Sequence, residues 1–245
     1  MPAPKSGLPA PSPSPGKTCG PFVSAWLADL KYGWTELTEG ARSVSLHSDQ
    51  VLFHQGQAAE AVYVVEEGRI RLSSFSLDGR ERHLMILGER GLVGDCGWPD
   101  SDIYAVTALA SSQARLRAID MRRFAQALTD HPALAQQHRE LSSRRLRILL
   151  QQLELQGHKT AGRRICHHLL GLMRAYGSVT AEGIRIGIGF TQQQMGNICG
   201  LSRVSVAYVF SRLERQQVIV RQRRHWLVLK PEQLECEASG LKSDS

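Results

Sequence analysis

Short polar and basic side chains are concentrated in the stretch TQQQMGNICGLSRVSVAYVFSR, which runs from Thr191 to Arg212. Hydroxyl, amide and guanidinium groups can hydrogen-bond to the edges of nucleic-acid bases and to phosphate oxygens. Arg203 suits a base best, because its planar fork matches the two acceptors of guanine. The stretch therefore predicts a face that contacts nucleic acid. Its members are Thr191, Gln192, Gln193, Ser202, Arg203, Val204, Ser205, Tyr208 and Arg212.

Two helices that meet at an angle are needed to present these side chains. Thr191 suits the N-cap of a first helix, and Ser202 suits the N-cap of a second. Between them, Gly200 can adopt the positive φ of a sharp turn, and Gly196 is small where the helices approach each other. The next segment, VIVRQRRHWLVL, predicts a basic β-hairpin, so the whole predicts a winged helix-turn-helix. The hairpin residues suited to phosphate contacts are Arg221, Arg223 and Arg224.

The positive charge of the chain lies entirely in its last third. From His158 onward there are thirteen Lys or Arg residues against six Asp or Glu residues, whereas residues 1–157 carry no net charge. An excess of this kind favours a polyanionic partner, and double-stranded DNA is the partner that fits a helix-turn-helix. The alternative is a solvated basic face that binds nothing.

Residues 51–118 predict a series of short β-strands. Alternating apolar runs are separated by turn signals, of which Asp78-Gly79 is a strong hairpin signal. Strands at this spacing predict a small barrel or jelly roll. A long helix follows, beginning at Asp130-His131-Pro132 and ending near Gln156.

The long helix is apolar on two sides, so it needs two partners. We expect one partner to be a second copy of the chain and the other to be the β domain. A seven-residue repeat, typical of a coiled-coil seam, is assigned to the dimer interface: Leu134, Leu141, Ile148 and Leu155. The second stripe contains Leu146, Leu149, Leu150 and Leu153. The alternative is a helix buried within a single chain.

These elements predict an α+β fold with three parts: a double-stranded β-helix (jelly roll), a long dimerisation helix and a winged helix-turn-helix. The predicted domains are residues 21–130, 131–157 and 158–236, with a disordered tail at 1–20 and a second tail at 237–245. The first tail is rich in Pro, Ser and Gly and lacks the apolar core of a signal peptide. No apolar run approaches the roughly 20 residues that span a bilayer. We expect a cytoplasmic protein without membrane contact.

The cysteines and histidines do not favour a metal site or an enzyme. The five cysteines form no CxxC pair, so neither a disulfide framework nor a structural zinc site is expected. His47, His54 and His83 are scattered, and no GxSxG nucleophile motif is present. We predict no catalytic residues and no bound metal.

The order of these elements resembles the cyclic-AMP receptor/fumarate–nitrate-reduction regulator (Crp/Fnr) superfamily of bacterial transcription factors. AVYVVEEGRIRLSS, DGRERHLMIL and GLVGD resemble its sensor barrel, DHPALAQQHRELSSRRLRILL its dimerisation helix, and FTQQQMGNICGLSRVSVAYVFSRLERQQVI its helix-turn-helix. The resemblance implies a homodimer that reads a near-palindromic operator and recruits or blocks RNA polymerase. It also implies an effector that the barrel senses.

The candidate effector pocket departs from the pattern of the cyclic-nucleotide binders. Those relatives carry Gly-Glu and, about ten residues later, an arginine; here Gly94-Asp95 and Ile103-Tyr104 stand at these places. Asp100 and Asp102 would repel a phosphodiester, so cyclic AMP is disfavoured. The pocket is assigned to Gly94, Asp95, Cys96, Ile103, Tyr104, Leu149 and Leu150.

Other sensors of the same superfamily stay open to different degrees. An iron–sulfur cluster is disfavoured because Cys19 is the single cysteine near the N-terminus. A haem-binding or redox-sensing regulator is the alternative within the superfamily, through Cys96 or a histidine and an apolar wall at Leu149 and Leu150. From a different class, the chain would be a cyclic-nucleotide-binding module of a kinase or channel, which the basic winged helix argues against.

The reading helix also departs from the pattern of many relatives. They place Glu two positions after the residue that matches Ser202 and Arg at the sixth, where this chain has Val204 and Tyr208. Glutamate accepts a hydrogen bond from cytosine, whereas valine offers a methyl contact suited to thymine. The sequence therefore predicts an operator that differs from the one most familiar for the superfamily.

Overall fold

The computed structural model describes residues 24–27, 30–158, 160–223 and 225–240, with the backbone alone at His158. The predicted tail at 1–20, Cys19 and Arg224 lie outside the described residues.

Two β-sheets form the N-terminal domain. One has five strands in the order β1-β6-β5-β8-β3, and the other has four in the order β2-β9-β4-β7. Except for β1, which runs parallel to β6, the paired strands of both sheets are antiparallel. The strands are β1 (Trp26–Leu27), β2 (Arg42–Leu46), β3 (Val51–Phe53), β4 (Ala61–Glu67), β5 (Ile70–Phe75), β6 (Glu81–Leu87), β7 (Leu92–Val93), β8 (Thr107–Ala110) and β9 (Ala114–Asp120).

The apolar alternation of these strands fills one core between the sheets. Val64 of β4 and Leu116 of β9 are buried on one sheet, and Leu72 of β5 and Ala108 of β8 are buried on the other. The turn between β5 and β6 contains Gly79, which has a positive φ, as the Asp-Gly signal predicts. The jelly-roll prediction for this domain is confirmed.

Helices flank the β domain and connect it to the C-terminal part. They are α1 (Thr35–Thr38), α2 (Met121–Asp130) and α3 (Pro132–His158). Asp120 caps α2, since its carboxylate accepts a hydrogen bond of 2.8 Å from the backbone N–H of Arg122. The helix α3 begins at the predicted proline and is 27 residues long.

The first apolar stripe of α3 faces its own chain rather than outward. Leu134, Leu141, Ile148 and Leu155 are all buried in the core of their own chain, so their assignment to the dimer interface is wrong. Leu149 packs at the edge of this core. The outward stripe consists of Leu146, Leu150 and Leu153, whose side chains are 57%, 55% and 64% exposed. A seven-residue repeat shows that a helix has a long apolar face, but not which partner covers it.

The C-terminal part is a winged helix-turn-helix, as predicted. A four-stranded antiparallel sheet, in the order β10-β11-β13-β12, accompanies the helices. The elements are α4 (Ala161–Tyr176), β10 (Gly177–Thr180), β11 (Gly183–Ile186), α5 (Gln192–Cys199), α6 (Arg203–Arg215), β12 (Ile219–Gln222), β13 (His225–Val228) and α7 (Pro231–Ser239).

The last helix corrects the predicted boundary at 236/237. Because Leu234 and Ala238 are buried, α7 continues to Ser239 rather than giving way to a tail. Glu237 also forms an ion pair with Arg212 of α6. Residues 237–239 therefore belong to the folded C-terminal domain.

Candidate nucleic-acid interface and barrel centre

The turn between α5 and α6 is defined by side-chain caps at both helix starts. Thr191 and Gln194 form a capping box, with hydrogen bonds of 3.1 Å to the Thr191 hydroxyl and 2.9 Å to the Gln194 side chain. Gly200 ends α5 with φ +64°. The hydroxyl of Ser202 accepts a hydrogen bond of 3.0 Å from the N–H of Ser205, which begins α6. The sequence predicted all three of these roles.

Close packing of α5 against this turn depends on Gly196. A Cβ atom at Gly196 would lie 2.7 Å from the carbonyl oxygen of Leu201, a distance that real Cβ contacts do not show. The N–H of Leu201 donates a 2.9 Å hydrogen bond to the Gly196 carbonyl. The helices are therefore held at a fixed angle by a backbone contact as well as by the buried side chains of Met195, Ile198, Val206, Val209 and Phe210.

The outward face of α6 presents three of the predicted contact residues at its N-terminal end. Arg203 is exposed, and Val204 and Tyr208 are 79% and 67% exposed. Ser205 is half-buried and shares a 2.9 Å hydrogen bond with the hydroxyl of Ser202. A guanidinium, a branched methyl pair and a phenol on one helix end offer hydrogen-bonding and apolar contacts to base edges.

The N-terminal turn of α5 lies beside this face. Thr191 and Gln193 are exposed, while Gln192 is half-buried. The side-chain amide of Gln193 donates a 2.7 Å hydrogen bond to Asn197, which orients it along the helix. Their assignment to phosphate contact stays a prediction.

Arg212 of α6 forms an ion pair with the last helix. Its Nη2 lies 2.6 Å from Oε2 of Glu237, and its side chain is directed towards α7 and the start of α4 near Gly162. The assignment of Arg212 to DNA contact therefore stays a prediction, for a side chain that is one-third exposed.

Arg221 and Arg223 occupy different places in the hairpin of β12 and β13. Arg221 pairs in register with Trp226, and its guanidinium carbon lies 5.9 Å from the indole centroid. Trp226 in turn packs on Phe210 of α6 with ring centroids 4.6 Å apart, so Arg221 is on the α6 side. Arg223 is exposed at the hairpin turn with φ +53°.

Arg185 on β11 is an exposed basic residue that the sequence did not single out. It lines a shallow surface depression together with Gln222, Arg223 and His225. Arg185 pairs in register with Leu227, whereas Arg221 pairs with Trp226, the preceding residue of β13. Because successive residues of a strand point to opposite faces of the sheet, Arg185 lies on the face opposite to Arg221. The face on which it lies depends on the register with β13.

A buried ion pair joins α3 to the segment that follows β7. Asp95, which follows β7, has a side chain only 1% exposed, and Arg145 of α3 has one 6% exposed. Nη1 of Arg145 lies 2.8 Å and 2.7 Å from the two carboxylate oxygens. His138, two turns earlier on α3, brings Nε2 to 3.0 Å from Oδ2.

This arrangement keeps Asp95 ionised although it is buried. Burial alone would raise the pKa of the carboxyl group, but the attraction of Arg145 and the hydrogen bond with His138 outweigh it. The pKa of Asp95 is held at about 2. Nη2 of Arg145 also donates to the carbonyl oxygen of Leu92. One guanidinium therefore joins α3 both to β7 and to Asp95, two residues after the end of β7.

Comparison with known proteins assigns both parts of the chain. Residues 43–131 match the model of the cyclic nucleotide-binding domain, and residues 163–237 match that of the Crp-like helix-turn-helix domain. The chain belongs to the Crp/Fnr family of transcriptional regulators. The pairing of these two domains through one long helix is the arrangement that the resemblance predicted.

Curated members of the Crp/Fnr family match most of the chain. The transcriptional activator protein Anr of Pseudomonas protegens is 27% identical over 199 residues, which cover 81% of each chain. The anaerobic regulatory protein of Bacillus subtilis is 25% identical over 225 residues, covering 88% of this chain and 93% of that one. The cyclic AMP receptor protein of Thermus thermophilus is 27% identical over 168 residues, covering 69% and 74%.

Solved structures share the fold of this Crp/Fnr chain. FixK2 from Bradyrhizobium japonicum superposes with a TM-score of 0.70 at 20% identity, covering 80% of this chain and 96% of that one. A CooA variant from Carboxydothermus hydrogenoformans gives a TM-score of 0.76 at 16% identity, covering 87% and 98%. Within the described residues no helix is long and apolar enough to cross a bilayer.

The residues assigned to an effector pocket of the Crp/Fnr type lie in different surroundings. Ile103 and Leu150 are exposed. Cys96 is exposed as a residue, but its Sγ lies 3.7 Å from Nη1 of Arg145, the atom that binds Asp95. Tyr104 is buried, but its ring stacks on Phe53 with centroids 3.6 Å apart. The Tyr104 hydroxyl donates a 2.8 Å hydrogen bond to the Ala61 carbonyl, which ties the ring to β4 beside Gly94.

Arg145 and His138 are the functional candidates that sequence reasoning missed. Together with Gln152, whose side-chain amide donates a 2.6 Å hydrogen bond to the Leu84 carbonyl, they repeat every seven residues. They alternate with the buried repeat of leucines and isoleucine on the same face of α3. The sequence signal for these residues was a polar side chain at the same position of each heptad on an otherwise apolar face. Such side chains must find polar partners when that face is buried.

The β domain contacts the helix-turn-helix through β6 and β1. Nε2 of His83 lies 3.1 Å from Nδ2 of Asn197 on α5, and Arg82 approaches Gly200 in the turn. From β1, the ring of Trp26 packs on Phe190 with ring centroids 5.8 Å apart. It also packs edge-on against His168, with a centroid distance of 6.4 Å. The DNA-binding domain of this Crp/Fnr chain thus packs against its β domain.

Proposed function

We propose that the protein is a homodimeric, sequence-specific DNA-binding regulator that reads a near-palindromic operator and acts on RNA polymerase. The observation that carries the proposal is the outward stripe of α3, three exposed leucines on a helix whose other face is fully buried. A second copy of the chain, packed on this stripe, would place two reading helices side by side. The protein is proposed to act by binding rather than by catalysis.

The dimer argument follows from the two faces of α3. Leu146, Leu150 and Leu153 are spaced by four and three residues, so they form one line along the helix. Such a line is rarely left in water when it can be covered by an identical line on a second copy. A two-fold dimer of this kind would present half-sites about 34–36 Å apart, one turn of the duplex.

The contacts with DNA are assigned by side-chain chemistry. Arg203 is proposed to read guanine, and Val204 to contact a thymine methyl group. Tyr208 and Ser202 would hydrogen-bond to base edges or to the backbone. Thr191, Gln192, Gln193, Arg221 and Arg223 are proposed to hold phosphates and so to set the register. Arg224, outside the described residues, remains a predicted phosphate contact.

Cyclic AMP is not proposed as the effector. The residue that matches the ribose-binding carboxylate of cyclic-nucleotide binders, Asp95, is already held by Arg145 and His138. The haem alternative is also less favoured, because Leu149 packs on the core while Leu150 is exposed, so they do not form one apolar wall. Among the described residues, no group of three or more His, Cys, Asp or Glu side chains is placed to hold a metal ion.

Duplex binding at different salt concentrations tests the proposal. The protein is used to enrich duplexes from a random pool, and fluorescence anisotropy then gives the affinity for the enriched sequence. We expect an inverted-repeat sequence and a steep fall in affinity with salt, with log K decreasing by about 0.9 for each phosphate contact per decade of salt. As a control, Arg139→Ala removes one exposed charge from the N-terminal half of α3 and should leave the slope unchanged. No enrichment of any duplex, or binding that salt does not weaken, would contradict the proposal.

A further inference from the structure

We propose that residues 24–27 act as a strap that fixes the DNA-binding domain on the β domain and thereby sets the half-site spacing that the dimer accepts. The strap consists of Ser24, Ala25, Trp26 and Leu27, all of which are buried. The inference rests on the proposed function, because half-sites exist only for a dimer on DNA. Its basis is that this short segment contacts both domains.

One edge of the strap binds the β domain. The N–H of Ile86 donates a 2.9 Å hydrogen bond to the carbonyl oxygen of Ala25. The N–H of Gly88 donates a 2.8 Å hydrogen bond to the carbonyl oxygen of Leu27. The strap thereby adds β1 to the five-stranded sheet, next to β6 and parallel to it. Because β1 is an edge strand, the polar groups on its other edge must find partners outside the sheet.

The other edge of the strap binds the DNA-binding domain. The hydroxyl of Tyr176, the last residue of α4, donates a hydrogen bond to the carbonyl oxygen of Trp26. The Trp26 indole packs on Phe190 and edge-on against His168. Its N–H is satisfied within the strap, by a 3.1 Å hydrogen bond to the hydroxyl of Ser24. Trp26 is therefore shared, since its strand belongs to the β domain while its ring and carbonyl oxygen contact the DNA-binding domain.

Polar contacts between the two domains accompany the strap. Nη1 of Arg69 donates a 3.0 Å hydrogen bond to the carbonyl oxygen of Gly189, and His83 lies 3.1 Å from the amide of Asn197. Water can replace such hydrogen bonds at a small net cost when the domains separate. The indole of Trp26, only 1% exposed, would instead bring a large apolar surface into water. The strap therefore opposes separation more strongly than these polar contacts do.

His168 gives a measure of this packing that does not need DNA. Burial lowers the pKa of its imidazole to about 4, with a further contribution from the charges of Arg82 and Arg164. Arg82 lies on β6, and the Trp26 ring covers the imidazole from the strap. Detachment of the DNA-binding domain would remove both neighbours and expose the ring. The pKa of His168 would then rise towards the ordinary histidine value of about 6.5.

A fixed DNA-binding domain makes the dimer selective for one spacing of half-sites. When both reading helices are held rigidly, the second one meets its half-site at high effective concentration only if the spacing matches. A loosely tethered domain accepts several spacings and gains less at each of them. Arg203 and Tyr208 stay exposed while the strap is in place, so the strap does not cover the reading face. We therefore expect the strap to strengthen binding at the matching spacing.

The test uses three substitutions in the full chain. Trp26→Ala removes the indole between the domains. Trp34→Ala is the matched control, because Trp34 is also buried but its hydrogen bond to the Arg90 carbonyl and its ring contact with Tyr32 lie within the β domain. Tyr176→Phe removes only the hydroxyl that binds the strap.

Two measurements are made on each protein. Nuclear magnetic resonance follows the titration of the His168 ring. Fluorescence anisotropy gives the affinity for the enriched duplex and for duplexes whose half-sites are moved apart by about two base pairs.

The wild-type protein and W34A should keep His168 neutral at about pH 6 and should lose at least about tenfold in affinity when the half-sites are moved apart. In W26A, His168 should titrate near pH 6, and the loss caused by the altered spacing should fall to about threefold or less. W26A should also bind the original duplex about tenfold more weakly, with Y176F between W26A and the wild type.

Three results would overturn the inference: a folded W26A that keeps His168 neutral and keeps the spacing preference, W26A that binds the original duplex more tightly than the wild type, or W34A that behaves like W26A. If W26A does not fold, the same two measurements on Y176F decide. Failure to enrich any duplex would instead refute the proposed function. The titration of His168 would still show whether the strap holds the two domains together.

Discussion

Replacing Leu150 by arginine tests whether the outward stripe of α3 joins two copies of the chain. Leu150 is the middle of three leucines that are each a little more than half exposed. Covering the exposed part of one leucine contributes about 1–1.5 kcal/mol, since full burial of its side chain contributes about 1.5–3 kcal/mol. Six leucines, three from each copy, would contribute about 6–9 kcal/mol to dimer formation.

Two guanidinium groups at the dimer axis would remove more than the contribution of two leucines. The lost burial is about 2–3 kcal/mol, and the charges would face each other across the interface. We expect the dissociation constant of the dimer to rise by at least about 50-fold. Sedimentation velocity over a range of micromolar concentrations measures this directly, and the thermal stability of the monomer reports whether the fold is kept.

The control is Leu77→Arg at the tip of the β5–β6 hairpin. Leu77 is a fully exposed leucine outside α3, so its replacement adds the same charge without touching the stripe. L77R should sediment like the wild-type protein. A dimer that persists in L150R at micromolar concentration, or one that dissociates equally in L77R, would refute the assignment of the stripe.

Three further predictions concern the ion pair, the helix-turn-helix packing and base reading. Because the pKa of Asp95 in the folded protein is about 2, below its unfolded value, the stability it contributes is present above about pH 4 and is lost as the pH falls towards 2. Urea unfolding between pH 7 and pH 3 should therefore show a smaller acid loss, by about 1–2 kcal/mol, in Asp95→Asn than in the wild type. Gly196→Ala should destabilise the protein by about 1–3 kcal/mol in thermal unfolding, because its Cβ meets a backbone carbonyl at 2.7 Å. Gly157→Ala, with open space around its Cβ on a helix, should be neutral or stabilising, by up to about 1 kcal/mol. Arg203→Ala should lower discrimination at one base pair by about 1–3 kcal/mol in competition anisotropy, whereas Arg212→Ala should change stability and leave base preference unaltered.

The helix-turn-helix could be predicted in detail because its signals are local. Thr191, Ser202 and Gly200 act within three or four residues of their own positions, through caps and a positive φ. Such interactions depend on neighbours in the sequence, so a single chain shows them without knowledge of the tertiary structure. The exposed end of α6 followed from the same helical register.

The wrong assignment of the α3 stripe has a physical cause, which is that a side chain's partner is chosen by tertiary contact. Leu141 and Leu150 are equally apolar, and nothing in their spacing says which one faces the β domain. Arg212 likewise has a partner that the sequence did not indicate, Glu237 of α7, at 2.6 Å. Local sequence predicts that a charge or an apolar group needs a partner, whereas the fold decides which partner it finds.

The effector region shows the same limit in a different form. Reasoning from the loop alone found no arginine near Asp95 and concluded that an anion would be repelled. The arginine is present, but it comes from α3, fifty residues later, and it is bound to the aspartate. The proposal against cyclic AMP therefore rests on a different ground. The reason is no longer that positive charge is lacking near Asp95, but that Asp95 and Arg145 are already paired with each other.

The contacts of the docked helix-turn-helix indicate how a change in the ion pair would reach DNA. Arg82 and His83 are consecutive residues of β6, and their side chains contact Gln156 at the end of α3 and Asn197 on α5. A shift of α3 against the barrel would therefore move one anchor of β6 while the other remains on the DNA-binding domain. Trp26 adds a contact that does not pass through α3, because its ring packs on Phe190 while its strand pairs with β6. Since β6 takes part in both routes, it is the element on which the state of the barrel and the position of the reading helix jointly depend.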